Sequence, residues 1–200
     1  MPKTILLALV LALLAGCATQ PPQHPADVCA VFQEKEDWYA ATRKAQRRWG
    51  VPIPVQMAII YQESSFVEDA RPPREYLLGF IPWGRPSSAY GYGQVLDDTW
   101  EWYQEKTGQD GADRDAFEDV ADFIGWYAQQ SQARLGIAKQ DAYRQYLAYH
   151  EGQGGYQRRS YAAKPWLLKV ARKVAANAGR YQRQLAGCGA GLERAVVAEE

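Results

Sequence analysis

Ala58-Ile59-Ile60-Tyr61-Gln62-Glu63-Ser64-Ser65-Phe66 is the stretch on which the reading turns. Met57, Ile59 and Ile60, with Val55 before them, are apolar at helical spacing and run straight into the carboxylate of Glu63. A carboxyl group at the end of a buried helix is costly as an anion. Burial raises its pKa and keeps a proton on it near neutral pH, as a general acid requires. Taken alone, the segment fits an exposed carboxylate ending a surface helix somewhat better. Two later segments shift that balance.

Upstream, Val51-Pro52-Ile53-Pro54 is a rigid link, and Val28 to Trp49 reads as one helix that stops at Gly50. Arg43, Lys44, Arg47 and Arg48 crowd the end of that helix, where the dipole favours cations. Downstream, Asp69 to Ser88 is rich in proline and irregular. The apolar residues Leu77, Leu78, Phe80 and Ile81 leave room there for a small β element near residues 76–83. Loops of this length in a compact domain tend to carry function. Gly91 and Gly93 flank Tyr92 and allow close backbone approach. Asp97 or Asp98 can cap the next helix, which ends at Gly108; Asp115 starts another, ended by Gly136. Asp141 opens a helix that leads to Gly152, and Gly154-Gly155 reads as a turn. Pro165 suits the first turn of the last helix, whose apolar face runs from Leu167 to Leu185. The fold expected is mainly α, a single domain of about six helices over residues 28–188, with a flexible tail over 189–200.

The chain is long enough for one ordinary domain, and its 47% apolar content excludes disorder. Zero net charge gives no sign of a nucleic-acid partner. The 7 Trp and 13 Tyr suit sugar rings, although most belong in a core. Lys3 and the apolar run Ile5 to Leu14 make residues 1–16 a signal peptide. Leu14-Ala15-Gly16-Cys17 resembles a bacterial lipobox, which would leave Cys17 as an acylated, membrane-anchored N-terminus. Residues 17–27 then form a Pro-rich tether of about 30 Å. Ala18, in place of Asp, resembles sorting to the outer membrane, with the domain facing the periplasm. Cys29 and Cys188 remain, and in an oxidising compartment they are expected to pair. A metal enzyme is not expected: the chain has only His24 and His150, and His24 lies in the tether. No cofactor is expected, and nothing asks for a second chain, so a monomer is the expectation.

Three segments now fall in order: Glu63-Ser64, Gly91-Tyr92-Gly93-Gln94, and Ala148-Tyr149-His150-Glu151-Gly152. Together they resemble the lytic murein transglycosylases of the lysozyme-like superfamily, with their Glu-Ser, Gly-Leu-Met-Gln and Ala-Tyr-Asn-x-Gly motifs. The likeness covers roughly residues 50–160. It implies a lysozyme-like fold of the goose-type or SLT-like kind, glycan strands of peptidoglycan as substrate, and Glu63 as the single catalytic acid and base. It implies substrate contacts from Ser64, Gln94 and the backbone of Gly91 to Gly93, and Tyr149 hydrogen-bonded near Glu63. Ser87 and Ser88 are further candidates for contact with the substrate or Glu63, and Tyr92 for contact with sugar.

Tyr92-Gly93 stands where the family has Leu-Met, and His150-Glu151 stands where it has Asn and a small residue. The loop between the first two motifs is long, and Arg71, Arg74 and Trp83 in it are expected to reshape one end of the groove. Two other functions stay open at this level. A muramidase-type hydrolase would use Glu63 with a second carboxylate about 5–9.5 Å away; Asp69, Asp97, Asp98 and Glu151 are the candidates. A non-catalytic peptidoglycan-binding lipoprotein would tolerate loss of Glu63.

Overall fold

The computed structural model describes residues 20–78 and 80–199; the expected signal peptide and Cys17 lie outside them. The elements are α1 (Val28–Glu34), α2 (Glu36–Trp49), α3 (Ile53–Ser64), β1 (Glu75–Leu77), β2 (Ile81–Gly84), α4 (Asp97–Thr107), α5 (Phe117–Leu135), α6 (Ala142–Gln157), a 3₁₀ turn (Ser160–Ala163) and α7 (Pro165–Glu199). β1 and β2 pair antiparallel, within the stretch where a small β element is expected. The molecule is mainly α. Among the described residues no helix is long and apolar enough to cross a membrane.

α3 is the central helix. Ile53, Val55, Met57, Ala58, Ile59 and Ile60 are all buried, so the helix is apolar around most of its circumference. Such a helix must be enclosed, and α2, α5, α6 and α7 enclose it. Each large apolar side chain on it contributes about 1.5–3 kcal/mol by leaving water. The same enclosure keeps water scarce at its C-terminal end, where Glu63 sits.

The stretch 28–49 is two helices rather than one. Lys35 leaves the helical region at φ −122° and ψ 77°. The break has a packing reason. α1 lays Val28, Val31 and Phe32 toward α7, whereas α2 lies along α5, where Trp38 stacks on Phe117 at 3.8 Å. Gly50, Gly108 and Gly136 end their helices as the sequence suggests. Asp141 caps α6 by accepting the backbone N–H of Arg144 at 3.0 Å. The caps expected of Asp97 or Asp98 and of Asp115 do not form. The Ser88 hydroxyl accepts the N–H of Asp97 at 3.1 Å, and Asp115 accepts the hydroxyl of Tyr90 at 2.8 Å. Gly154-Gly155 is not a turn. α6 instead kinks at Gly152, with φ 68° and ψ 160°, and runs on to Gln157.

Both ends of the domain depart from expectation. Residues 189–199 continue α7 instead of fraying. Glu193 gives the reason: it pairs with Arg43 and accepts the Tyr39 hydroxyl at 3.2 Å, tying this part of α7 to α2. The second half of the expected tether is docked. Pro22 is buried, the Tyr181 hydroxyl donates to the Pro25 carbonyl, and Arg180 and Gln184 donate to the Ala26 carbonyl at 3.0 and 3.2 Å. Cys29 and Cys188 form a disulfide between α1 and α7 across 159 residues of sequence. Loop entropy gives a bond of this span about 5 kcal/mol as an upper figure.

Candidate active site

Glu63 is the penultimate residue of α3. Directly after it the chain turns out of the helix through two left-handed residues, Ser65 at φ 54° and Phe66 at φ 65°. A left-handed aromatic residue is strained, and Ser64 offsets the strain locally. Its hydroxyl accepts the N–H of Phe66 at 3.1 Å and donates to the Ile60 carbonyl at 3.3 Å. Phe66 is buried and stacks on Tyr61 at 5.3 Å. Glu63 is thereby held at a sharp exit from a buried helix. Its Oε1 is shut off from solvent and has no hydrogen-bond partner.

Burial pushes the Glu63 carboxyl up to about 7, against the hydroxyl of Tyr146, which faces it and pulls the other way. The carbonyl end of α3 adds to the cost of an anion here. Tyr146 stays a proton donor, because burial and the neighbouring Glu63 raise its own pKa.

The loop that closes the long insertion packs against α6. Tyr149 donates its hydroxyl to the Gly93 carbonyl at 2.6 Å. A Cβ on Gly93 would lie 3.0 Å from that hydroxyl and 3.0–3.1 Å from Val95 and Val120, so the position has almost no room for a side chain. Gln94, at φ 49°, turns its amide back onto the carbonyls of Ala70 and Gly91 at 2.8 and 2.9 Å. Three segments distant in sequence therefore meet. Glu63, Gln94, Tyr149, His150 and Glu151 line one cavity of about 500 Å³, together with Phe123 and Tyr127 of α5 and Thr99 of α4.

A family model, the transglycosylase SLT domain, matches residues 5–188. The chain belongs to that family. No curated protein and no solved structure matches it. It is a lytic transglycosylase with a lysozyme-like, mainly α domain, and its substrate is peptidoglycan.

Within this transglycosylase the cavity gathers Glu63, Gln94 and Tyr149 as the motifs suggest, but not the other expected contacts. Tyr149 lies near Glu63, and burial together with Glu63 raises the pKa of its hydroxyl. It gives its hydrogen bond to Gly93, however, and Tyr146 also faces Glu63. Ser64 is buried and ends the helix. Tyr92 is 2% exposed and packs edge-on to Trp38 and Phe117. Tyr92 borders a larger cavity of about 850 Å³ beside α1 and α2, ringed by charged side chains and lacking Glu63. Ser87 and Ser88 are exposed and line a separate cavity with Arg71, Arg85 and Arg114. The turn at 91–94 explains the split: it sends Tyr92 inward and leaves Gln94 on the groove.

Of the four candidate second carboxylates, Glu151 lines the cavity, whereas Asp69, Asp97 and Asp98 do not. Its side chain is 3% exposed and fully engaged. Lys164 lies at 2.7 Å and His150 at 3.1 Å, and Ser160 donates to the other oxygen. Burial raises its pKa, but the hydrogen bonds of Lys164, Ser160 and His150 outweigh that and hold it at about 2. Tyr146 and the partners of Glu151 are the site residues that motif reading misses. Tyr146 lies three residues before Tyr149, on the same helix face, which was the available signal.

Proposed function

We propose that the enzyme cleaves the β-1,4 bond between N-acetylmuramic acid and N-acetylglucosamine, with Glu63 as the sole acid and base, leaving a 1,6-anhydro end. One observation carries this reading. Glu63 keeps its proton to about neutral pH, and its neighbour in the cavity, Glu151, is locked as an anion by three partners. The protonated carboxyl gives its proton to the glycosidic oxygen as the bond to C1 breaks. The 2-acetamido group of the sugar stabilises the oxocarbenium-like centre, so no second protein carboxylate is needed. Tyr146 steadies the Glu63 anion between the two steps. The anion then takes the proton of the C6 hydroxyl while that oxygen bonds to C1. Glu63 ends as it began, and no water is consumed.

The test is to incubate the purified protein with isolated peptidoglycan and identify the products by mass spectrometry. Anhydromuramyl ends support the proposal. Reducing ends would replace it with hydrolysis, and water would then be the attacking group. The lipobox-like run supports a further part of the reading: Cys17 is acylated and holds the domain at the envelope membrane, facing the periplasm. Mass analysis of the mature protein from a membrane fraction tests it.

A further inference from the structure

The cavity lined by Ser87 and Ser88, about 300 Å³, lies between the long loop and the start of α4, with Arg71, Arg85 and Arg114 on its wall. Arg114 is already engaged. It pairs with Asp97 at 2.7 Å and donates to the carbonyls of Ser88 and Val95 at 3.1 and 2.7 Å. Arg71 lies 4.1 Å over the ring of Tyr90, and Arg85 donates to the Pro72 carbonyl. Among the described residues neither of these two pairs with a carboxylate. Two guanidiniums therefore face a recess with donors to spare.

The recess adjoins the groove. Ala89 lines both cavities, so the recess and the groove meet at that residue. The sugar backbone of the substrate is uncharged. Its anions are carboxylates, carried on the lactyl ether of muramic acid or on the peptide attached there. A planar guanidinium is the side chain best matched to a carboxylate, which it can grip through two parallel hydrogen bonds.

We propose that Arg71 and Arg85 form an anion subsite that takes a carboxylate borne on the muramic acid of the bound strand. The proposal rests on the reading of the Glu63 cavity as the glycan groove. It makes the long loop a specificity element that favours wall strands over neutral chitin-type chains. Arg114 shapes the recess but is neutralised by Asp97.

Binding to the full-length Glu63→Gln protein, which separates affinity from turnover, tests this by calorimetry. The probes are chitotetraose, a peptide-free tetrasaccharide containing muramic acid, and the same tetrasaccharide carrying tetrapeptides. At least one acidic probe is expected to bind about tenfold tighter than chitotetraose, an advantage that shrinks as salt rises. Adding Arg71→Gln and Arg85→Gln removes the advantage, and Arg71→Lys with Arg85→Lys keeps most of it. An advantage confined to the peptide-free probe assigns the lactyl carboxylate, which is an amide in the third probe; one confined to the third assigns the peptide; an advantage for both shows that the subsite takes either carboxylate. Equal binding of all three probes, or a preference that survives the Gln changes, overturns the subsite. Failure of all three to bind overturns the groove reading as well.

Discussion

Glu63 at the end of α3 and Glu151 near the end of α6 line the same cavity, yet their surroundings drive them apart. Glu63 has an unpartnered oxygen and is pushed up to about 7; Glu151 has three partners and is held at about 2. Burial acts on both in the same direction. The difference lies in what replaces water. Where a single tyrosine hydroxyl replaces it and one oxygen is left without a partner, a carboxyl keeps its proton and can give it away. Where Lys164, Ser160 and His150 replace it, the group becomes a fixed charge that braces the wall between α6 and the 3₁₀ turn. Two acids in one cavity need not be a catalytic pair.

The strongest way to break this contrast is Glu63→Gln, which keeps the shape and removes the transferable proton. Cleavage of peptidoglycan, followed by mass spectrometry, should fall about 10³-fold with the fold intact. Activity within tenfold of wild type would remove Glu63 from the mechanism.

The same variant should be more stable than wild type at alkaline pH. The folded pKa of Glu63 lies above its ordinary value of 4.5, so the native state binds the extra proton as pH rises from 4.5 to 7. Stability attributable to this group therefore falls across that window and stays low above it. Urea denaturation at pH 8 should show Glu63→Gln ahead by about 3 kcal/mol, with the gain vanishing near pH 4. No gain at pH 8 would mean the carboxylate is better solvated than its setting implies.

Lys164→Met tests the other carboxylate. It leaves Glu151 buried without its countercharge and should cost about 2 kcal/mol at pH 7. Glu151 has a lowered pKa, so its contribution is full above 4.5 and is lost as pH falls toward 2. The penalty should shrink accordingly at pH 3. An equal loss at both pH values would point to packing instead.

The smallest effect expected is that of Tyr146→Phe. Tyr146 pulls the Glu63 pKa down. Without the hydroxyl the alkaline limb of kcat/KM should move up by about 0.5–1 pH unit. A limb that stays put, or moves down, would show that Tyr146 does not tune Glu63.

Much of this was legible in the chain because it rests on local signals. The apolar run before Glu63, the glycine stops and Pro165 are short-range features, and they mark the helices well. Glu63, Gln94 and Tyr149 were recoverable from motif order, although only long-range packing brings them together. What failed was direction. Tyr92 and Gln94 are two residues apart in one turn, and sequence does not say which one faces the core. Lys35 carries no breaker chemistry; the helix ends there because two partners, α5 and α7, pull its halves different ways. Glu151 looked like a possible partner for Glu63 until Lys164, thirteen residues on, proved to hold it.

The docking of residues 22–27 onto α7 has a consequence for how far the enzyme can work. With the anchor at Cys17, as proposed, only four positions of sequence, 18–21, separate the lipid from the docked segment. Four residues span at most about 14 Å, roughly half the reach of an undocked tether. Halving a radius cuts the volume searched about eightfold and raises the effective concentration of nearby glycan in proportion. Under that proposed anchoring, a buried proline and three hydrogen bonds to backbone carbonyls would keep the groove on the wall closest to the membrane.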